Sequence, residues 1–174
     1  MGNNGALWVT FAVLAIVVNK MSDVKTVSRT YYNSCYQHGI DEKRRVQIPA
    51  KWRPEESGTE LTVVLWPKHP IGTCLRVLPP KKMEKLMADI DAMPNSDPSK
   101  VVLKRRIGSG STQVTLDKSG RICIPDDMAR QADIKDEVLL VGLLDRFEIW
   151  NPDLYEKVKA ADEVLAAKAF ELME

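Results

Sequence analysis

The sequence predicts an α+β fold built from two related β-rich units with packed helices, and three observations carry that prediction. A short motif occurs twice, as DEKRRVQIP at residues 41–49 and as DKSGRICIP at residues 117–125, 76 positions apart. Each copy is followed by a pair of apolar strand patterns, and each pair by a proline-led helical pattern. Small units of that size bury little surface alone, so pairing between the copies or between chains is expected.

Residues 6–18 (ALWVTFAVLAIVV) form a run of 13 residues with Thr10 as its one polar member, shorter than the roughly 20 that span a bilayer. A basic leading segment and a small-x-small cleavage site are both missing, which argues against a secretory signal. An upstream extension, a peripheral or membrane anchor, and a packed helix are the three readings of this run. Residues 1–30 are therefore set apart as an N-terminal extension. Residues 22–34 are a polar lead-in, with Tyr31 and Tyr32 entering the first strand.

In each motif a charged turn leads into a short strand. Val46 and Ile48 alternate around Gln47, as Ile122 and Ile124 do around Cys123, and Pro49 or Pro125 ends the ladder for want of an N–H. Asp41 and Asp117 are suited to accept backbone hydrogen bonds across their turns, leaving Arg45 and Arg121 as positive groups at the strand entrances. Residues 50–53 make a helical turn that stops before Pro54. Residues 61–66 and 73–78 are paired strands joined by a turn at residues 67–72. Pro80 opens a helix with Met83, Leu86, Met87 and Ile90 on one stripe.

Residues 94–107 read as a linker carrying a basic patch at Lys104, Arg105 and Arg106, for which a solvated charge run is an equally good reading. A glycine- and serine-rich connection follows at residues 107–112, without the lysine of a phosphate-binding loop. The order then repeats: a strand at residues 114–116, the second turn, a short helix at residues 126–130, paired strands at residues 137–144 and 146–150. A helix led by Pro152 packs Leu154, Val158, Ala161 and Leu165 inward. This divides the chain into units at residues 31–93 and 108–174.

The net charge of +1 conceals a partition: residues 1–125 sum to +8 and residues 126–174 to −7. A basic body of this kind can meet a polyanion on one face. Cys35, Cys74 and Cys123 form no paired framework, which suits a reducing cytoplasm. Asp41 with Asp117 as paired acids would suit a small hydrolase, but both have neighbouring cations suited to turn structure. Cys35 with His38 supplies only half a zinc set. No cofactor, metal, small-molecule substrate or enzymatic activity is expected.

The two charged turns, their spacing and the strand–helix order that follows make the chain resemble the MraZ family, within the broader AbrB-like group. The resemblance spans residues 31–172 and rests on the Asp-x-x-x-Arg signature at Asp41/Arg45 and again at Asp117/Arg121. It implies tandem swapped-hairpin β-rich units with helices, a ring-like homo-oligomer, and a cytoplasmic, nucleoid-associated regulator. Its partner would be double-stranded promoter DNA, at repeated elements of the bacterial division and cell-wall gene cluster. An AbrB-like antitoxin or a structural assembly protein is the alternative.

On this reading Arg45 and Arg121 contact bases, because paired donors on arginine match guanine. Lys43, Arg44 and Lys118 serve phosphates, and Asp41, Asp117 and Gly120 shape the turns. Arg44 stands where the second copy has Gly120. The first turn is therefore expected to be made differently, without glycine's access to positive φ.

Overall fold

The computed structural model describes residues 30–68 and 70–173. The readings of residues 6–18 therefore concern a stretch outside the described residues. Among the described residues eight strands are formed: β1 (Cys35–Gly39), β2 (Arg45–Gln47), β3 (Leu61–Lys68), β4 (Gly72–Leu78), β5 (Ser111–Val114), β6 (Arg121–Cys123), β7 (Glu137–Gly142) and β8 (Phe147–Trp150). With them come helices α1 (Pro80–Asp91), α2 (Pro98–Ser109), α3 (Asp126–Gln131) and α4 (Pro152–Glu171), and a 3₁₀ turn at Ala50–Trp52. The architecture is α+β with two sheets.

The larger sheet has the order β1-β7-β8-β4-β3-β5, and β2 pairs with β6 in a separate ribbon. All pairings are antiparallel. Exchanging β1 with β5, β3 with β7 and β4 with β8 turns the six-strand order into its own reverse. The first strand after each lead-in thus lies on the strand pair of the other half of the chain: β1 on β7, and β5 on β3.

The central strands are apolar on both sides because both sheet faces are covered. On one face Leu61, Val63, Leu75, Val77, Val138, Leu140, Phe147 and Ile149 meet Val46, Ile48, Ile122 and Ile124 from the ribbon, together with Trp52 and Met128. Trp52 is fully buried, donates its indole N–H to the carbonyl of Asn33 at 3.2 Å, and lies edge-on to Tyr32 and Tyr36. On the other face Cys74, Val141 and Trp150 pack with Val158 of α4. Burial pushes the Cys74 thiol far above its ordinary value.

At the centre of the sheet, Arg76 of β4 faces Glu148 of β8. The arginine donates through Nε and Nη2 to Glu148 Oε1 at 3.0 and 2.7 Å, and Trp150 Nε1 donates to Oε2 at 2.9 Å. The guanidinium also lies 3.8 Å from the centre of the Trp66 ring.

Four expectations change. The linker stretch is helical from Pro98, because Asp97 accepts from the Ser99 N–H at 2.8 Å as an N-cap with proline at the first turn. That helix runs to Ser109, so the expected glycine-rich connection is mostly helical and β5 starts earlier than residue 114. Along α4, Leu154 and Val158 pack, but Ala161 and Leu165 are exposed, since the helix outruns the sheet it lies on. Tyr32 makes an isolated bridge to Leu144 rather than opening β1.

Candidate nucleic-acid interface

The two charged turns sit on the β2–β6 ribbon, whose register pairs Arg45 with Cys123, Val46 with Ile122 and Gln47 with Arg121. An antiparallel pair of this kind has a local two-fold axis between Val46 and Ile122, both fully buried. The axis relates one turn to the other, and the hydrogen bonds repeat across it.

In the first turn, Asp41 N–H donates to the Arg45 carbonyl at 3.2 Å and Arg44 N–H to the Asp41 carbonyl at 2.8 Å. Asp117 N–H to Arg121 and Gly120 N–H to Asp117 repeat these bonds at 2.8 and 2.9 Å. Asp41 Oδ1 accepts from the N–H groups of Lys43 and Arg45, both at 2.9 Å, and its Oδ2 accepts from Arg45 Nε at 2.7 Å. Asp117 does the same with Ser119, Arg121 and Arg121 Nε at 2.8, 3.0 and 2.9 Å. The short carboxylate fits because it closes an Asx turn and grips the arginine with its second oxygen.

These bonds fix the electrostatics. The Arg45 backbone N–H, followed by its guanidinium and the Lys43 N–H, holds the Asp41 carboxyl below its ordinary range. The Arg121 guanidinium and then its backbone N–H do so for Asp117. A general acid needs the opposite shift, so paired-acid hydrolysis finds no support in these two carboxylates. The turns are also tied together: Arg121 Nη1 stands 3.7 Å from Asp41 Oδ2. Gln47 Nε2 donates to the Ser119 and Gly120 carbonyls at 3.0 and 3.1 Å, and Cys123, its counterpart across the axis, donates to the Lys43 carbonyl at 3.3 Å.

The expectation that the first turn is built differently is overturned. Arg44 has φ 57° and Gly120 has φ 77°, the same left-handed conformation. Backbone pairing holds both, with Ile124 N–H donating to the Arg44 carbonyl at 2.9 Å and Ile48 N–H to the Gly120 carbonyl at 3.0 Å. The Arg44 side chain turns toward the other half of the chain, donating to Asp126 at 3.1 Å and to the Lys135 carbonyl at 3.3 Å. Lys43 and Lys118 are exposed at the turns, and Arg45 and Arg121 are half-buried.

The other candidates lie elsewhere. Lys104 and its neighbours are on α2, where Lys104 pairs with Asp91 at 2.5 Å and Lys100 closes the end of α1 through the Asp91 and Met93 carbonyls. Arg105 and Arg106 are exposed. Cys35 and His38 lie on opposite faces of β1, as residues three apart in a strand must. Among the described residues no three His, Cys, Asp or Glu side chains cluster to hold a metal.

Sequence reasoning missed Arg53. Its guanidinium presses on Gly120, where an added Cβ would lie 2.4 Å from Cζ, and its Nε donates to the Ile48 carbonyl at 2.9 Å. The signal was in the repeat: 76 positions on, Arg53 meets Ala129, just as Arg44 meets Gly120.

Comparison with known proteins places the chain in a family. Residues 107–172 match the family model described as "MraZ protein, putative antitoxin-like". The chain is 32% identical over 133 residues to the transcriptional regulator MraZ of Roseiflexus sp. (strain RS-1), covering 76% of this chain and 89% of that protein. It is 32% identical over 141 residues to the regulator of the same name from Halothermothrix orenii, covering 75% and 95%. The Caulobacter vibrioides protein of that name is 29% identical over 133 residues, covering 76% and 85%. The chain belongs to the MraZ family.

Proposed function

We propose that the chain is a non-enzymatic, sequence-specific DNA-binding transcriptional regulator acting on repeated promoter elements of the bacterial division and cell-wall gene cluster. The observation that carries the reading is the pair of Asp–Arg turns side by side on one ribbon, each with an exposed lysine. The names of the relatives support the regulatory role.

Each aspartate orients a planar guanidinium, which keeps further N–H donors for a guanine edge. Arg45 and Arg121 therefore contact bases, while Lys43, Arg44 and Lys118 serve phosphates and Lys104, Arg105 and Arg106 add a secondary basic surface. Residues 31–93 and 108–174 act as two units joined through residues 94–107, and the pairing of β1 with β7 and β5 with β3 supports a swapped-hairpin arrangement. A ring-like homo-oligomer in the nucleoid-associated cytoplasm would present several ribbons to repeated DNA, multiplying weak contacts.

The test is a salt-controlled titration of promoter duplex with the intact protein and with Arg45→Ala and Arg121→Ala. Both variants keep their fold and lose promoter affinity. Wild-type binding by both overturns the assignment. Genome-wide capture then shows enrichment at a repeated element upstream of the division cluster. The family description also favours an antitoxin reading. That reading predicts that the chain relieves growth arrest by a toxin encoded beside it, which coexpression checks.

A further inference from the structure

Resting on the DNA-binding reading, we infer that Arg53 is a positioning residue that locks the second turn from outside it. Among the positions at which the two copies differ at the repeat offset, two set an arginine against a small residue: Arg44 against Gly120, and Arg53 against Ala129. Beside the Arg121–Asp41 contact between the turns, each turn then has an arginine linking it to the half of the chain that does not contain it.

In the second turn the arginine comes from the first half. Arg53 follows the 3₁₀ turn, bonds to the Ile48 carbonyl at 2.9 Å, and lays its guanidinium on Gly120, whose absent side chain makes the space. Ile48 in turn donates its N–H to the Gly120 carbonyl at 3.0 Å. Arg53 therefore grips a residue that is itself bonded to the turn. In the first turn the direction reverses: Arg44 leaves the turn for Asp126 at the start of α3 and for the Lys135 carbonyl. Ala129 adds no competing arginine there.

The consequence is a division of labour. Arg121 presents the donors, Gly120 supplies the left-handed backbone, and Arg53 limits how far the backbone at residue 120 can shift. A planar group is required, because a lysine ammonium has neither the Nε–H aimed at Ile48 nor a flat face to lie on a glycine.

The experiment has two arms. Without DNA, thermal unfolding of wild type, Arg53→Ala, Gly120→Ala and the double variant reads the contact itself. Gly120→Ala lowers Tm less in the Arg53→Ala background than in wild type, because the overlap with the guanidinium is gone. Equal Tm losses in both backgrounds overturn the lock. With DNA, the probe is a duplex carrying the repeat upstream of the gene encoding this chain, against a scrambled duplex, at several salt concentrations.

Arg53→Ala and Arg53→Lys both weaken binding about tenfold, with the slope of log affinity against log salt unchanged. A slope reduced by about one in Arg53→Ala makes Arg53 a phosphate contact and overturns the positioning role. Wild-type affinity in Arg53→Lys also overturns it. Failure of the wild-type protein to distinguish the two duplexes sinks the DNA reading alone, since the unfolding arm judges the lock without DNA.

Discussion

The first turn carries an arginine in the left-handed conformation and the second a glycine, yet the backbone bonds and the Asp–Arg grip are the same in both. A left-handed Cβ costs roughly 1–2 kcal/mol, which the first turn bears and the second avoids. What makes them alike is the ribbon beneath them. Conformation here is set by long-range pairing of β2 with β6, and local propensity is overridden.

The largest effect should come from removing that shared support. Ile122→Ala empties a fully buried site on the local axis and costs about 2–5 kcal/mol by denaturant unfolding. Val46→Ala, its partner across the axis, should cost less by about one methylene, ~0.8 kcal/mol. Equal losses of DNA affinity from both, once folding is controlled, would show that the turns depend on one support; a loss confined to one variant would separate them.

Gly120→Ala comes next. It puts a Cβ into a left-handed position at a cost of roughly 1–2 kcal/mol and drives it into Arg53. Arg44→Gly is the mirror experiment. Relief of the same backbone strain is offset by the lost pair with Asp126 and by a freer unfolded chain, so the net change stays within about 1 kcal/mol. If Arg44→Gly proves as damaging as Gly120→Ala, the two turns are not equivalent in backbone.

Acid should affect both turns together. Asp41 and Asp117 are held below their ordinary range in the folded chain by the N–H groups and arginines that surround them. Their stabilising contribution is therefore complete above the unfolded carboxylate value near 4 and is lost as pH falls through the lower folded values. Tm measured from pH 6 to pH 2 should drop less steeply in Asp117→Asn than in wild type, and by a similar margin in Asp41→Asn. A margin present in only one variant would mean that only one turn is gripped as its hydrogen bonds suggest.

Much of this was legible in the sequence because each part had a local cause. The strand pairs at Leu61–Lys68 with Gly72–Leu78 and at Glu137–Gly142 with Phe147–Trp150 announce themselves by apolar runs, and the helices by Pro80 and Pro152. The backbone bonds to Asp41 and Asp117 were foreseeable from the carboxylate's reach across its own turn. Helix α2 was hidden because its cap, Asp97-Pro98, sits in a stretch rich in loop residues and none of its side chains is buried. The Arg44 conformation and the Arg53 contact were hidden for a different reason. Both depend on partners from the other half of the chain, which a reading along the chain does not bring together.

The smallest effect belongs to Asp126, the exposed partner of Arg44. Its side chain is 76% exposed, and an ion pair in that setting contributes at most about 0.5 kcal/mol. Asp126→Asn should leave unfolding nearly unchanged if Arg44 is held left-handed by its backbone, through the Arg44 N–H to Asp41 and the Ile124 N–H to Arg44. DNA binding should then rise slightly, because one acidic group is removed beside the first turn. A loss of 2 kcal/mol or more would instead make the Arg44 side chain the anchor of its turn. The backbone strain would then be borne by a surface contact, and the first turn would be the weaker of the two.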